Sequence, residues 1–177
     1  MRATVAAVVA VFVVGGAAGC LCGGHTEVKD GQYDDGKVAY SVGGPGAGWA
    51  ELKLPTANAA WHNEALAATL MVNSHCDGVA DSPLEGLASD LLMGMTDREI
   101  LSQARLEHSK REALETVATV KLDGVPRKLV LFVMKKDGCV YDIVLDANPD
   151  HFDAARADYT KVRDGFDVAA RPDRVGS

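Results

Sequence analysis

An apolar run over residues 3–21 opens the chain, and its densest part, 5–14, is built largely of Val, Ala and Phe. Residues 23–37 then carry Gly, Asp, Lys, His and Thr with almost nothing apolar, too little surface to offset the entropy of ordering the backbone. A folded domain is predicted to begin near Val38. Residues 40–42 and 49–54 read as short strands on either side of a glycine-rich loop over 43–48, and the compact apolar run 67–73 reads as a buried strand. Ser82-Pro83-Leu84-Glu85 has the form of a helix start, with Ser as the cap and Pro first in the helix. Leu84, Leu87, Ala88, Leu91, Leu92 and Met95 follow at helical spacing, and Gly94 supplies a stop.

Residues 97–117 favour helix by propensity alone. Yet 102–107 alternates polar and apolar, and no apolar helical stripe survives past Leu106. The reading is therefore a strand, a turn near 109–111 and a second strand reaching Leu122. Asp123-Gly124 and Asp137-Gly138 are hairpin signals on either side of a strand over 128–134, and another strand follows over 139–145. Pro126 falls at a strand start, where its missing N–H is tolerated. A second helix is capped by Asn148 and opened by Pro149, with Phe152, Ala155, Tyr159, Val162 and Phe166 along one face. Asp150 and Asp153 at its start and Lys161 and Arg163 near its end follow the order the helix dipole favours. The sum is a single α+β domain over 38–168, an antiparallel meander carrying two amphipathic helices, with 169–177 as a C-terminal tail.

This order of elements resembles the PsbP-like family: a short N-terminal hairpin with a Trp, a strand, a helix, a long meander, and a last helix marked by Tyr159, Val162 and Phe166. The resemblance implies a layered α/β/α sandwich and an accessory or binding role in place of catalysis. It carries over no functional residue position by position.

The chemistry of the first residues adds an address. Arg2, the apolar run and the small-residue end make the three-part pattern of an export signal. Ala17-Ala18-Gly19-Cys20 resembles the lipobox of bacterial lipoproteins, in which Cys20 would be lipidated and become the first residue, although Leu is commoner where Ala17 stands. Cys22 has a poorer cleavage context. An uncleaved membrane span needs roughly 20 apolar residues, which this run barely supplies. The expectation is a signal peptide over 1–19, a lipidated Cys20 and tether over 20–37, and a domain held at the cell envelope by its lipid. Leu21 is not the Asp associated with inner-membrane retention, so the periplasmic face of an outer membrane is the expected station in a Gram-negative cell.

Losing Arg2 with the signal takes the formal charge from −7 to −8. Such an acidic domain is poorly suited to nucleic acid, whose binding needs Lys and Arg on phosphates. It also offers no evident basic patch for anionic lipid, so membrane attachment rests on the anchor. The remaining cysteines, Cys76 and Cys139, lie at the edges of strand-like runs. Outside the cytoplasm they are expected to pair, the alternative being two free thiols. The bridge would close a long loop, worth about 4 kcal/mol on a chain-entropy account.

Candidate chemistry is sparse. The loop 43–48 lacks the Lys-Ser/Thr ending and the following helix of a phosphate loop. Asp30, Asp34 and Asp35 lack the spacing of a calcium loop, and there is no Gly-x-Ser-x-Gly elbow. His75-Cys76-Asp77 is the densest group of possible ligands, but neighbours on a strand point to opposite faces, and His62 or His108 would have to join from elsewhere. A nucleophilic Cys76 would need a free thiol and a positioned His. Asp142 and Asp146 share a strand face and could act as acids. They are more simply the polar side of a sheet whose other side is Tyr141, Ile143 and Leu145. Trp49 and Trp61 read as packing residues, and Lys135-Lys136 as a solvated hairpin end.

No catalytic residue, metal ligand or cofactor is assigned. The function expected is a non-enzymatic protein-binding or envelope accessory module, with a partner in the envelope. The alternatives are a periplasmic small-molecule or metal binder, and then a hydrolase or thiol enzyme.

Overall fold

In the computed structural model the described residues are 28–76 and 82–169. The signal peptide, Cys20, Asp77 and the tail beyond Ala169 lie outside them. Among the described residues ten strands and two α-helices follow one another: β1 (Gln32–Asp34), β2 (Ala39–Ser41), β3 (Ala50–Glu51), β4 (Ala59–Asn63), β5 (Ala68–His75), α1 (Leu84–Asp90), β6 (Thr96–His108), β7 (Arg111–Leu122), β8 (Val125–Lys136), β9 (Cys139–Ala147), α2 (Phe152–Asp164) and β10 (Asp167–Val168). Seven strands form one antiparallel sheet in the order β3-β4-β5-β9-β8-β7-β6, and β1, β2 and β10 form a small second sheet. The long sheet has α2 and the small sheet on one face and α1 on the other, the α/β/α layering expected.

The hairpins arise where the sequence placed them. Asp123-Gly124 and Asp137-Gly138 each have two consecutive positive φ values, the backbone that a tight two-residue hairpin needs. Ser109 and Lys110 adopt the same backbone without a glycine (φ 46° and 60°). That turn is anchored by the Ser109 Oγ, which donates to Asp167 Oδ1 at 2.8 Å. The second helix also follows its sequence. Asn148 accepts from the Asp150 N–H at 2.9 Å, Pro149–His151 forms a short 3-10 turn, and Phe152, Ala155, Tyr159 and Val162 are buried along one stripe, with Phe166 buried just beyond.

Three local expectations change. First, the tether expected over 20–37 is folded from Val28 onward: Val28 donates its N–H to the Asn58 carbonyl at 3.4 Å, and β1 pairs with β2. Tyr33 stacks on Tyr40 across the hairpin with ring centroids 4.8 Å apart and is buried with it, and the nonlocal tie is Asn58, whose Nδ2 donates to the Tyr33 hydroxyl at 3.0 Å. The acids that lack calcium-loop spacing build the next turn, Asp35 Oδ1 accepting from the N–H groups of Lys37 and Val38 at 2.7 Å. Second, Pro83 and not Ser82 is the cap of α1, and no side chain caps it. That helix ends at Asp90, and turns carry the chain through Gly94 (φ +82°). Third, β4 was not anticipated. It supplies Ala60, buried in the sheet, and Trp61, packed against the main core.

The main core lies between the sheet and α2. Tyr40, Tyr141, Phe132 and Phe166 are fully buried there among aliphatic side chains of β5, β8 and β9. One charge is buried with them. Glu115 on β7 accepts from Arg156 at 2.8 Å, from Arg163 at 2.6 Å and from the Tyr159 hydroxyl at 3.1 Å, so α2 is clamped to the sheet by a neutralised carboxylate. Among the described residues no buried side-chain nitrogen or oxygen lacks a hydrogen-bond partner.

Candidate functional site

Of the residues singled out for chemistry, His75, Cys76 and Cys139 meet at the end of the sheet where β5 finishes and β9 begins. The β5–β9 register runs to His75 opposite Val140, which carries Cys76 to a place beside Cys139. The two sulfurs are bonded, joining positions 63 residues apart. A disulfide has no thiolate to offer, so Cys76 is neither a nucleophile nor a metal ligand in this state. The histidines do not converge. His62 Nδ1 lies 3.1 Å from Thr69 Oγ1, and Thr69 is six residues up β5 from His75, about 20 Å along a strand. His108 Nε2 is 2.6 Å from the Phe166 carbonyl oxygen, which only accepts, so that nitrogen carries the proton. Among the described residues no three His, Cys, Asp or Glu side chains group to hold a metal.

Asp142 and Asp146 share the α1-facing side of β9, but that side is not the simple polar face expected. Val140 and Val144 between and beside them are buried against residues of α1 and the turn after it. Asp146 is held by Arg127 (Nε to Oδ1, 2.6 Å), whose Nη2 also donates to the Ala67 carbonyl at 2.8 Å. Among the described residues no Arg or Lys pairs with Asp142 in the same way. Burial pushes its carboxyl up to about 6, and His75 only partly offsets that. Four residues apart on a strand, the two carboxylates are separated by about 13 Å of backbone, beyond the span of a paired acid and base. What Asp142 can do is take up a proton near neutrality.

The glycine-rich loop turns out to be a packing device. A Cβ on Gly43 would lie 2.9 Å from the Lys161 carbonyl oxygen, and one on Gly165 would lie 2.9 Å from the Gly43 Cα. Only two glycines let this loop touch the end of α2. Beyond it, Trp49 donates from Nε1 to Asp158 Oδ2 at 2.9 Å, and Lys161 pairs with the same carboxylate at 2.6 Å. Between this loop and the β4–β5 turn lies an open cleft of about 630 Å³, lined among others by Asn63, Glu64 and Asp158. Trp61 packs on the core, as expected of it. Lys135 and Lys136, expected in solvent, instead donate to the carbonyls of Ser82 (2.8 Å) and Val168 (2.7 Å). Sequence reasoning missed Glu115 as well. Its alternation with Ala113 and Val117 was a signal for an inward-facing acid.

No protein-family model matches the chain, and no curated protein matches its sequence. Solved structures do match in shape. LpqN, involved in cell envelope biogenesis of Mycobacterium tuberculosis, aligns with a TM-score of 0.57 at 10% identity, covering 77% of this chain and 87% of LpqN. A protein of unknown function from Pseudomonas aeruginosa, PA94, aligns with a TM-score of 0.50 at 10% identity over 71% of this chain and 99% of its own. Cyanobacterial PsbP (CyanoP) from Synechocystis sp. PCC 6803 aligns with a TM-score of 0.52 at 16% identity over 88% of this chain and 99% of CyanoP. At these identities the likeness concerns the fold. The chain has a PsbP-like α+β fold, shared with an envelope-biogenesis protein and a cyanobacterial PsbP.

Proposed function

We propose that this protein is an extracytoplasmic accessory domain, anchored through a lipid on Cys20, that works by binding a protein partner at the cell envelope. The observation that carries the reading is the Cys76–Cys139 bridge, because disulfides persist outside the cytoplasm and are rare within it. The export pattern over 1–19 and the Ala-Ala-Gly-Cys ending at Cys20 support the same address. The fold's occurrence in LpqN, involved in cell envelope biogenesis, is consistent with it. The bonding of Cys76 and the wide separation of Asp142 from Asp146 favour binding over catalysis.

Fractionation of cells expressing the full chain tests the address. The wild type should pellet with membranes and resist a high-salt wash, and Cys20→Ala should accumulate as the longer, unprocessed precursor. Recovery of the wild type in the cytosol, or identical behaviour of the two chains, would remove the anchor and leave only the fold.

A further inference from the structure

An acidic chain would be expected to keep its cations apart or paired, yet at the disulfide end of the sheet it brings several together. Continuing the β7–β8 register two residues past Ala113 opposite Met134 sets Arg111 across from Lys136. Like charges in directly opposed positions repel. Arg111, Lys135 and Lys136 line one small cleft of about 250 Å³, with Asp137 as its carboxylate. That carboxylate only partly answers the charge, since its Oδ1 is 4.0 Å from Arg111 Nη2. The lysines are held in place and not left to wander, for each donates one hydrogen bond to a backbone carbonyl, and an ammonium group has three. Neighbours on a strand point to opposite faces, and the Lys135 ammonium reaches Ser82 ahead of α1 while that of Lys136 reaches Val168 in β10. Arg111 and Lys136 are therefore the two cations that share one face beside Asp137, and such a pair fits a phosphate group, whose oxygens accept from Arg and Lys together.

The position of the cleft says where that phosphate would come from. Lys136 reaches the Val168 carbonyl in β10, β10 pairs with β2, and β2 pairs with β1 just after Val28. The chain therefore enters the domain at the same end as the cleft. Seven residues separate Cys20 from Val28, and so short a stretch spans at most about 25–29 Å even when extended.

We infer that the cleft between Arg111 and Lys136 is a phosphate-binding site that engages the headgroup of an anionic phospholipid in the membrane carrying the anchor. The lipid source rests on the anchored reading above; the phosphate chemistry does not.

The test is lysine acylation read by mass spectrometry on the full chain, as isolated, in bilayer discs. Discs of phosphatidylcholine are compared with discs containing phosphatidylglycerol, and with phosphatidylcholine discs plus inorganic phosphate. Lys136 should become several-fold less reactive with phosphatidylglycerol, while Lys121 at the far end of β7 stays unchanged. Arg111→Gln, at an exposed position, should abolish that protection without altering the melting temperature. Protection by inorganic phosphate but not by phosphatidylglycerol would keep the site and overturn the lipid source. Equal reactivity of Lys136 in all three preparations would overturn the proposal. A chain found without acyl groups would fail the anchored reading alone, because the inorganic phosphate arm still decides the cleft.

Discussion

The two faces of the long sheet solve the problem of burial differently. On the α2 face every element agrees. A 13-residue helix lays its apolar stripe on β5, β8 and β9, the aromatic rings of Tyr40, Tyr141, Phe132 and Phe166 fill the space, and the one buried acid, Glu115, meets two arginines and a tyrosine. On the α1 face the cover is a helix of seven residues and the turn after it. There, among the described residues, Asp142 is desolvated with no Arg or Lys paired to it, and Met93, Ile100, Leu122 and Val125 are exposed. One face spends its polar groups on stability, whereas the other keeps a carboxylate at a cost. The polar groups of the two faces thus act on stability with opposite sign.

Breaking the clamp should have the largest effect. Glu115→Ala removes the buried counter-charge of Arg163, which keeps only the exposed Asp164, and losing one partner of a buried pair costs about 3 kcal/mol at the lower end of the usual range. Urea unfolding should show a much lower midpoint at an unchanged slope. A negligible change would mean that water screens the pair and that the two faces do not differ in this respect.

Removing the bridge comes next. Cys76→Ser with Cys139→Ser should cost about 2–4 kcal/mol, and the wild type melted in reductant should match the double variant.

Asp142→Asn sharpens the comparison because its sign is opposite. The folded carboxyl is raised from 3.8 to about 6, so its protonated form is favoured by the fold. That stabilisation is fully present below about pH 4 and is lost as pH rises through 6. Relative to the wild type, Asp142→Asn should therefore be more stable by up to about 3 kcal/mol above pH 7 and indistinguishable below pH 4. Denaturant unfolding of both proteins across that range checks it, and a constant difference would contradict the assignment. The smallest effect belongs to Tyr159→Phe, which removes one hydrogen bond to Glu115 and should cost about 1 kcal/mol in the same assay.

The α2 face was largely legible because its signals are local. Asn148 and Pro149 start the helix, five apolar positions mark its inner face, and two Gly-containing turns fix the hairpins beside it. The cysteine pair was legible for a related reason: each Cys sits at a strand edge, and the strands turned out to be neighbours. Failures came where long-range packing decides. A polar segment became β1 because Tyr33 is held by Asn58, 25 residues on. Asp142 looked like a solvent-facing residue because nothing in β9 reveals that α1 packs alongside it. Arg111 and Lys136 are 25 residues apart in sequence, and only the β7–β8 register places them together.

The central claim is a protein exported, cut before Cys20, lipidated there and oxidised. Intact mass of the chain purified from its native membrane, before and after reductant, tests all four steps at once. The account predicts a chain lacking residues 1–19, heavier than the bare polypeptide by its acyl groups, and gaining the mass of two hydrogens on reduction. An unprocessed N-terminus with free thiols at Cys76 and Cys139 would contradict it.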